Sequence, residues 1–351
     1  MKVALVTGCS AGIGLETTRS LADSDEYSLV VCAVRNPAKM VRAMTDVGFS
    51  SKALKKCEVC ELNLSSLNSV DSFVMNLHDM KITNVHRLIL NAGINDYTHQ
   101  TERLTEDGID EIWQVNFFAN FYLICLLMPI LKATAGSRVV CLSSVMHWVG
   151  RPEAISQLDA YGAAPPKAKW WSTYADTKLA ITVLSHELCR RQILDSVAVN
   201  PGSVASDIFR AWYSIPVIGG LIRFIFSLVL LSCRDGCRTT LFACNGVDLV
   251  RKTQSFEYLS PYGRSSFKWP ALAFLSDLYS FRIQSDPKKF IGQYSLLVSD
   301  SMIGRLIWNK SIDVLSRTRT QKSNVFRHVN MLEHSQPVQY SGSSVEHDRP
   351  D

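Results

Sequence analysis

A tyrosine and a lysine four residues apart have the spacing of a proton-transfer pair. Tyr174 and Lys178 lie in the stretch TYADTKLAITVLSHEL, whose pattern is helical. Positions i and i+4 share one helix face, so the phenol and the ammonium group are neighbours. A nearby cation favours the ionised form of a tyrosine, which suits a group that gives and takes a proton near neutral pH. Because this spacing is common, its meaning depends on the motifs that precede it.

A glycine-rich turn near the N-terminus indicates a nucleotide site. The turn follows the first apolar run, opens the first helical pattern, and reads Thr7-Gly8-Cys9-Ser10-Ala11-Gly12-Ile13-Gly14. In such a turn the first glycine permits the tight bend, the second lets the backbone approach a pyrophosphate, and the third lets helix and strand pack closely. The helix N-terminus supplies N–H groups and partial positive charge for the phosphates. An ordinary glycine-rich turn is the alternative, and the flanking strand and helix argue against it.

The end of the second strand-like run predicts which dinucleotide binds. Arg35 and the neutral Asn36 stand there, where sites that prefer NAD usually carry an acid for the ribose hydroxyls. A guanidinium can hold a 2′-phosphate through two hydrogen bonds, whereas a carboxylate would repel it. We therefore expect NADP(H) as the cofactor. The alternative is that Arg35 is a solvated arginine in a loop.

Short apolar runs alternate with amphipathic stretches from residue 2 to about residue 260. Strands are predicted for the runs VALVT, SLVVCAV, HRLIL, SRVVCLS and SVAVN, and less strongly for CEVCELN and SFEYLS. Helical patterns lie between them, such as the one face formed by Val70, Phe73, Val74 and Leu77. This alternation predicts an α/β fold in which a doubly wound parallel sheet carries helices on both faces.

The composition is that of a globular protein in a reducing compartment. Of the 351 residues, 47% are hydrophobic and 20% are charged, which argues against a disordered or fibrous chain. The ten cysteines have no repeated spacing, and the single CxxC, Cys57 to Cys60, begins a strand-like run, so no metal site is predicted. A strand-like run follows Lys2 directly, so no signal peptide is expected. These features predict a cytoplasmic protein, and no nucleic-acid partner is expected.

The net charge of +5 belongs to one region. Residues 211–289 contain ten Lys or Arg and five Asp or Glu, a difference of +5. Within this region residues 215–231 are almost entirely apolar, and we interpret residues 205–232 as a substrate lid. One alternative is a membrane-spanning helix, which a proline and two adjacent glycines would interrupt. The other is peripheral contact with an anionic membrane, such as that of the endoplasmic reticulum.

The order of the motifs resembles that of the short-chain dehydrogenase/reductase family. In sequence they are TGCSAGIG, Asn91-Ala92-Gly93, Asn116, Ser143-Ser144, YxxxK and Pro201-Gly202. The resemblance covers about residues 2–260 and implies a Rossmann catalytic domain over residues 1–260, with its active site at the carboxyl ends of the strands. Beyond it we expect a basic and aromatic extension over residues 261–318 that ends in a helix, and a disordered tail over residues 319–351.

The resemblance also implies roles for individual side chains. Tyr174 would be the general acid for reduction and the base for oxidation, while Lys178 would favour its ionised form and hold the nicotinamide ribose. Ser144 would hydrogen-bond the substrate oxygen, and Asn116 would hold the water of a proton relay. The alternative for Asn116 and for Ser143 is that each is a satisfied polar group of the core.

Further residues would bind the cofactor if the resemblance holds. Asn63 stands where the family often has the aspartate that recognises adenine, and its amide oxygen can still accept a hydrogen bond. The strand end Asn91-Ala92-Gly93 would pack beside the cofactor. The nicotinamide would be lined by Pro201, Gly202 and Val204, with Ser206 where the family often has threonine.

One departure points to a branch of the family. Ser144 and Tyr174 are 30 positions apart, farther than in the common form. The enlarged loop and the stretches CAVRN and WWSTYADTKLA are similar to the retinol dehydrogenase and WW-domain oxidoreductase branch, which handles retinoids, steroids and other lipophilic carbonyls. The stretch RLILNAGI is also similar to 3-ketosteroid reductases.

The predicted function is NADP(H)-dependent hydride transfer between the nicotinamide and a carbonyl or alcohol carbon of a lipophilic substrate. Two alternatives remain open. One is a non-catalytic protein that binds NADP(H) as a sensor or scaffold, against which the retention of Asn116, Ser144, Tyr174 and Lys178 argues. The other is reduction of a C=C bond in a conjugated ring, as in protochlorophyllide reductases. The family resemblance also allows a homodimer.

Overall fold

A parallel sheet forms the centre of the molecule. The computed structural model describes residues 1–95, 103–158, 172–204, 230–246, 256–260 and 294–319. Its seven strands lie in the order β3-β2-β1-β4-β5-β6-β7, and every neighbouring pair is parallel. The strands are β1 (Lys2–Thr7), β2 (Tyr27–Val34), β3 (Cys57–Glu61), β4 (Arg87–Leu90), β5 (Arg138–Leu142), β6 (Ser196–Val199) and β7 (Glu257–Leu259). All seven strand predictions are confirmed, and the two weaker candidates form the sheet edges.

Helices cover both faces of this sheet, as predicted. They are α1 (Gly12–Asp23), α2 (Pro37–Asp46), α3 (Ser51–Lys56), α4 (Leu67–Asp79), α5 (Glu111–Trp113), α6 (Ala119–Ala133), α7 (Ser172–Arg190), α8 (Cys233–Asn245), α9 (Leu296–Ser299) and α10 (Ser301–Thr318). Side chains alternate along each strand, so Leu5 of β1 joins the core under α4, α6 and α7, whereas Ala4 and Val6 join the core under α1, α2 and α8. Burial on both faces explains why the strand runs are continuously apolar.

The strand order reverses between β1 and β4. β1 lies between β2 and β4, with Val6 paired to Cys32 on one side and to Ile89 on the other. From β1 the chain continues to β2 and β3 on one side of the sheet, and it then crosses back to β4 on the other side. The connections that follow β1 and β4 therefore diverge and leave a crevice at the carboxyl ends of these two strands. Such a crevice is where doubly wound sheets bind ligands.

The final described helix, α10, packs on α7 and extends the core. The apolar spacing of residues 303–315 predicts a helix, and Ile307, Trp308 and Leu315 of α10 are buried in the main core. Gly304 brings α10 so close to α7 that a Cβ there would overlap the carboxylate of Glu187. That buried carboxylate also binds the guanidinium groups of Arg190, the last residue of α7, and of Arg191, which follows it, and these satisfy its charge.

One stretch of the described chain, Glu111–Ala133, is long and apolar enough to cross a membrane. It comprises α5, a π turn and α6, and 83% of its apolar window is buried inside the molecule. We therefore assign it to the core. Several predictions concern residues that lie outside the described ranges: most of the proposed lid (205–229), Ser206, the basic and aromatic segment 261–293, and the tail 320–351.

Candidate active site

The glycine-rich turn and the end of β4 are locked together at the crevice. Gly8 has φ +65°, and a Cβ there would lie 2.8 Å from both Cα and Cβ of Ala92. A Cβ on Gly14 would overlap the side-chain nitrogen of Asn91. That nitrogen donates to the carbonyl oxygens of Thr7 (2.8 Å) and Gly8 (3.0 Å). The sequence needs glycine at both positions, because Ala92 occupies the space of a side chain at Gly8, and the Asn91 side chain and the Gly8 carbonyl occupy it at Gly14.

The first turn of α1 fits a dinucleotide phosphate. Its N-cap residue is Ala11, and no side chain caps the helix, so the N–H groups of the first turn remain available to an anion. A Cβ on Gly236 at the start of α8 would overlap Val204 and lie 3.5 Å from Ile13, so the segment after β6 closes over this turn. The residues predicted to bind the dinucleotide, from Thr7 to Gly14, therefore form a cradle of suitable chemistry.

Arg35 and Asn63 lie at the carboxyl ends of β2 and β3. Arg35 is exposed, with no ion-pair partner among the described residues, whereas Asn36 caps α2 by accepting a hydrogen bond from Lys39 N (2.9 Å). Asn63 Oδ1 accepts from the backbone N (3.2 Å) and the hydroxyl (2.7 Å) of Ser65. Asn63 Oδ1, which we expect to accept a hydrogen bond from adenine, already accepts two from Ser65. At least one of these two bonds would have to break when adenine binds.

Asn116 lies in a π turn, Gln114–Phe118, between α5 and α6. Its Oδ1 accepts from Ile94 N (2.8 Å), and its Nδ2 donates to Ile94 O (2.9 Å) and Thr177 Oγ1 (3.1 Å). The apolar stretch around Asn116, WQVNFFANFYL, predicts an ordinary helix, but the π turn breaks the regular hydrogen-bond ladder. Asn120 supports the turn by donating to the carbonyl oxygens of Val115 (2.9 Å) and Asn116 (3.2 Å). Asn116 thus ties the β4 strand end to α7, and its role in holding a water stays a prediction.

Lys178 is buried at the centre of this arrangement. Its Nζ donates to Leu142 O at the end of β5 (2.8 Å) and lies 5.5 Å from the ring centroid of Tyr174. A Cβ on Gly93 would be 3.4 Å from Lys178 Nζ and equally far from Asn116 Oδ1. Burial lowers the pKa of Lys178 to about 8, because the charged ammonium is poorly solvated. The lysine and the asparagine therefore meet beside Gly93, and the ring of Tyr174 lies next to the lysine.

Ser143 and Ser144 have different surroundings. Ser143 is buried, and its hydroxyl bonds to Thr182 Oγ1 (2.6 Å), which agrees with the core alternative considered for it. Ser144 is half-buried and begins a 3₁₀ turn, Val145–Val149, with its Oγ accepting from Met146 N (3.3 Å). The chain after this turn packs on α7 so closely that a Cβ on Gly150 would lie 2.6 Å from Ala175 O. Ser144 is thereby held against the helix that carries Tyr174.

An ion pair that the sequence motifs do not indicate also holds the segment after the 3₁₀ turn against α7. Asp176, inside YxxxK, binds the guanidinium of Arg151 (2.6 Å) and accepts from Arg151 N (2.8 Å). Burial raises the pKa of Asp176, although the arginine opposes this. Thr177, also inside the motif, donates to Tyr174 O (2.8 Å). The signal in the sequence is the carboxylate of Asp176 between Tyr174 and Lys178, since a charge on a helix that is buried needs a partner.

The segment after β6 completes the crevice. Gly202 has φ +83°, and its N–H donates to Asn200 Oδ1 (3.0 Å), so Pro201 and Gly202 turn sharply away from the sheet. Val204 forms a parallel bridge with Leu231. These three predicted nicotinamide neighbours lie at the carboxyl end of β6. In the described ranges no group of His, Cys, Asp and Glu could hold a metal ion.

Comparison with known proteins gives the family. The family model of the short chain dehydrogenases matches residues 2–214. The chain is also 33% identical, over 259 residues and 71% of its length, to the WW domain-containing oxidoreductase of Danio rerio. This chain belongs to the short chain dehydrogenase family. The resemblance predicted from its motifs is thereby confirmed.

Other members of the short chain dehydrogenase family extend the comparison. The chain is 30% identical over 261 residues to the polyprenol dehydrogenase of Mus musculus, covering 71% of this chain and 72% of that protein. The match with the Danio rerio protein spans only 59% of that relative's length. A 3-ketoacyl-(acyl-carrier-protein) reductase from Brucella melitensis, complexed with NADH, shares the fold, with a TM-score of 0.53 and 19% identity over 74% of this chain and 96% of that one.

Proposed function

We propose that this protein is an NADP(H)-dependent oxidoreductase that interconverts a carbonyl and an alcohol on a lipophilic substrate. The observation that carries the proposal is the position of Lys178. A buried ammonium group 5.5 Å from the ring centroid of a tyrosine is an arrangement suited to proton transfer by that tyrosine. Membership of the short chain dehydrogenase family supports the same class of reaction.

Ser144, Tyr174 and Lys178 have separate roles in the proposed reaction. When bound, the nicotinamide supplies or accepts the hydride. In the reductive direction the hydroxyl of Ser144 donates a hydrogen bond to the substrate oxygen, and Tyr174 gives that oxygen a proton. Lys178 stabilises the negative charge that this leaves on the phenol, because its ammonium group lies close by in a poorly solvated site. Oxidation follows the same steps in reverse.

The lipophilic substrate is supported by the relatives and by the sequence. Polyprenol dehydrogenase is named for a lipophilic alcohol, and the chain has a long segment between Ser144 and Tyr174. The test is turnover with NADPH on retinal, steroid ketones and small polar ketones. We expect higher kcat/KM for the lipophilic carbonyls. Binding of NADPH without turnover of any of these substrates would favour the sensor or scaffold alternative.

The preference for NADP(H) is expected to depend on Arg35. In the Arg35→Asp variant a charge-assisted pair with the 2′-phosphate becomes a repulsion, so the preference should shift towards NADH. The measurement is kcat/KM for NADPH and NADH in both proteins. Arg305→Asp, on the exposed surface of α10, makes the same charge change elsewhere and should leave the preference unchanged. A wild-type protein that prefers NADH would show that Arg35 is only a loop charge.

We also propose that the basic region between residues 211 and 289 contacts anionic membranes peripherally. It carries the whole net charge of +5 next to the apolar stretch 215–231, and each basic residue near an anionic surface contributes about 1 kcal/mol. The protein should sediment with phosphatidylserine liposomes, less with neutral ones, and less at high salt. Charge reversal at Arg264, Lys268, Lys288 and Lys289 should release it. Binding that depends on neither the salt concentration nor the lipid charge would instead indicate hydrophobic insertion of the apolar stretch 215–231.

A further inference from the structure

A buried histidine connects the Ser144 turn to the C-terminal part of the chain. His147 has no exposed surface and lies three residues after Ser144, in the 3₁₀ turn Val145–Val149. Its Nδ1 is 2.7 Å from Ser144 O and 3.3 Å from the hydroxyl of Tyr258 on β7. On the other side of the ring, Nε2 accepts a hydrogen bond from Ser295 N (3.3 Å), where α9 begins.

These contacts determine where the imidazole proton lies. A backbone N–H can only donate, so Nε2 must be the unprotonated nitrogen. In the neutral ring the proton is then on Nδ1, and it points to Ser144 O, with the oxygen of Tyr258 as a second, longer acceptor. Burial lowers the pKa of His147 to about 4, so the ring is uncharged at neutral pH and keeps its acceptor.

We propose that His147 is a positioning residue that holds Ser144 in its catalytic orientation, and that the N–H of Ser295 sets the required imidazole tautomer. The proposal rests on the proposed function, in which Ser144 binds the substrate oxygen. The Ser144 carbonyl accepts from both His147 N (3.1 Å) and Nδ1 (2.7 Å). Because the direction of a carbonyl fixes the ψ angle of its residue, these two bonds fix the backbone from which the Ser144 hydroxyl projects.

The proposal assigns a function to a part of the chain beyond the match with the family model. That match ends at residue 214, whereas Tyr258 and Ser295 follow it. Ser295 is itself anchored, because it is buried and precedes Val298 in the main core. The rings of His147 and Tyr258 pack with centroids 4.7 Å apart, which prevents the imidazole from turning. The C-terminal segment thus acts on the substrate-binding serine through one side chain.

Two substitutions of His147 test its hydrogen bonds to Ser144 O and from Ser295 N one at a time. In His147→Asn the amide nitrogen can take the place of Nδ1 and still donate to Ser144 O, whereas the bond from Ser295 is lost. In His147→Gln the amide reaches the position of Nε2, and the donor to Ser144 O is lost. We expect kcat of the Gln variant to fall by about 10–100-fold, since small displacements of a positioned group have effects of this size. The Asn variant should keep kcat within about threefold of the wild type, and the Kd for NADPH should stay unchanged in both.

A second pair of variants leaves the histidine in place. Ser295 has φ −60°, a value that proline adopts, so Ser295→Pro removes the N–H without forcing the backbone. Ser295→Ala keeps the N–H and removes the same side-chain cap of α9. Only the proline variant should lower kcat, because Nε2 loses its donor and the ring can change tautomer. Equal kcat in the two Ser295 variants, or in the two His147 variants, would overturn the proposal.

An NMR measurement tests the positioning role of His147 independently of whether the proposed function is correct. In protein labelled with ¹⁵N-serine, the amide resonance of Ser144, identified by its loss in Ser144→Ala, should move in His147→Gln and stay in His147→Asn. A wild-type protein without turnover would end the proposed function, and this spectrum would still decide the positioning role. An unmoved Ser144 resonance in the Gln variant would contradict that role even in an active enzyme.

Discussion

Tyr174→Phe is expected to lower turnover by about 10²–10⁴-fold, the usual contribution of a general acid or base. The phenylalanine ring fills the same space beside Lys178 but has no proton to give, so cofactor affinity should be unchanged. The measurement is kcat/KM for a carbonyl substrate together with the Kd for NADPH. Loss of rate without loss of binding is the signature of an interaction made only in the transition state.

Tyr122→Phe provides the matched control for this loss. Tyr122 is also buried, and its hydroxyl bonds to Asp71 Oδ1 (2.7 Å) away from the crevice. Removing that hydroxyl should lower the free energy of unfolding and leave kcat/KM unchanged. If Tyr174→Phe retained near wild-type turnover, the proposed mechanism would be wrong.

Lys178→Met should lower kcat/KM by about 10²-fold or more, since it removes the cation that supports the ionised tyrosine. Unlike Tyr174→Phe, it should also weaken NADPH binding, because the lysine is expected to hold the nicotinamide ribose. The pKa of Lys178 is lowered to about 8 in the protein without cofactor. As pH rises through that value the ammonium loses its charge, so the Kd of the wild type should increase between pH 7 and 9.5.

This pH dependence gives the lysine its own test. Fluorescence titration with NADPH across that pH range should show a rising Kd in the wild type and a flat one in Lys178→Met. Lys132→Met, which removes an exposed lysine at the end of α6, should behave as the wild type. The same rise in wild type and Lys178→Met would assign the titration to another group.

The central strands were predictable because each is a short, mostly apolar run between turns. The positions of the motifs followed from them, since parallel strands bring their carboxyl ends to one edge of the sheet. The π turn at Asn116 was not predictable, because the apolar sequence QVNFF is equally compatible with an ordinary helix. Nor could the sequence show that Asn63 already bonds to Ser65, because that contact depends on the turn after β3.

The roles of His147 and Arg151 depend on contacts distant in sequence. Arg151 meets Asp176 across 25 positions, and His147 meets Ser295 across 148. Both residues stand in a segment that reads as an enlarged loop, where a polar side chain is usually solvated. Only the folded packing on α7 and α9 brings these partners together, burying His147 completely and leaving Arg151 half-exposed.

The packing of α10 on α7 has a consequence for how the chain folds during synthesis. Trp308 of α10 covers Phe121 of α6, with ring centroids 5.3 Å apart, and both belong to the same core as Leu5 of β1. A ribosome-bound chain that has emerged only to β6 can pair its central strands, but Phe121 still lacks this cover. The last contacts of the core therefore join α6 to a helix that is synthesised much later, and until then the apolar surface around Phe121 stays exposed or is covered by a chaperone.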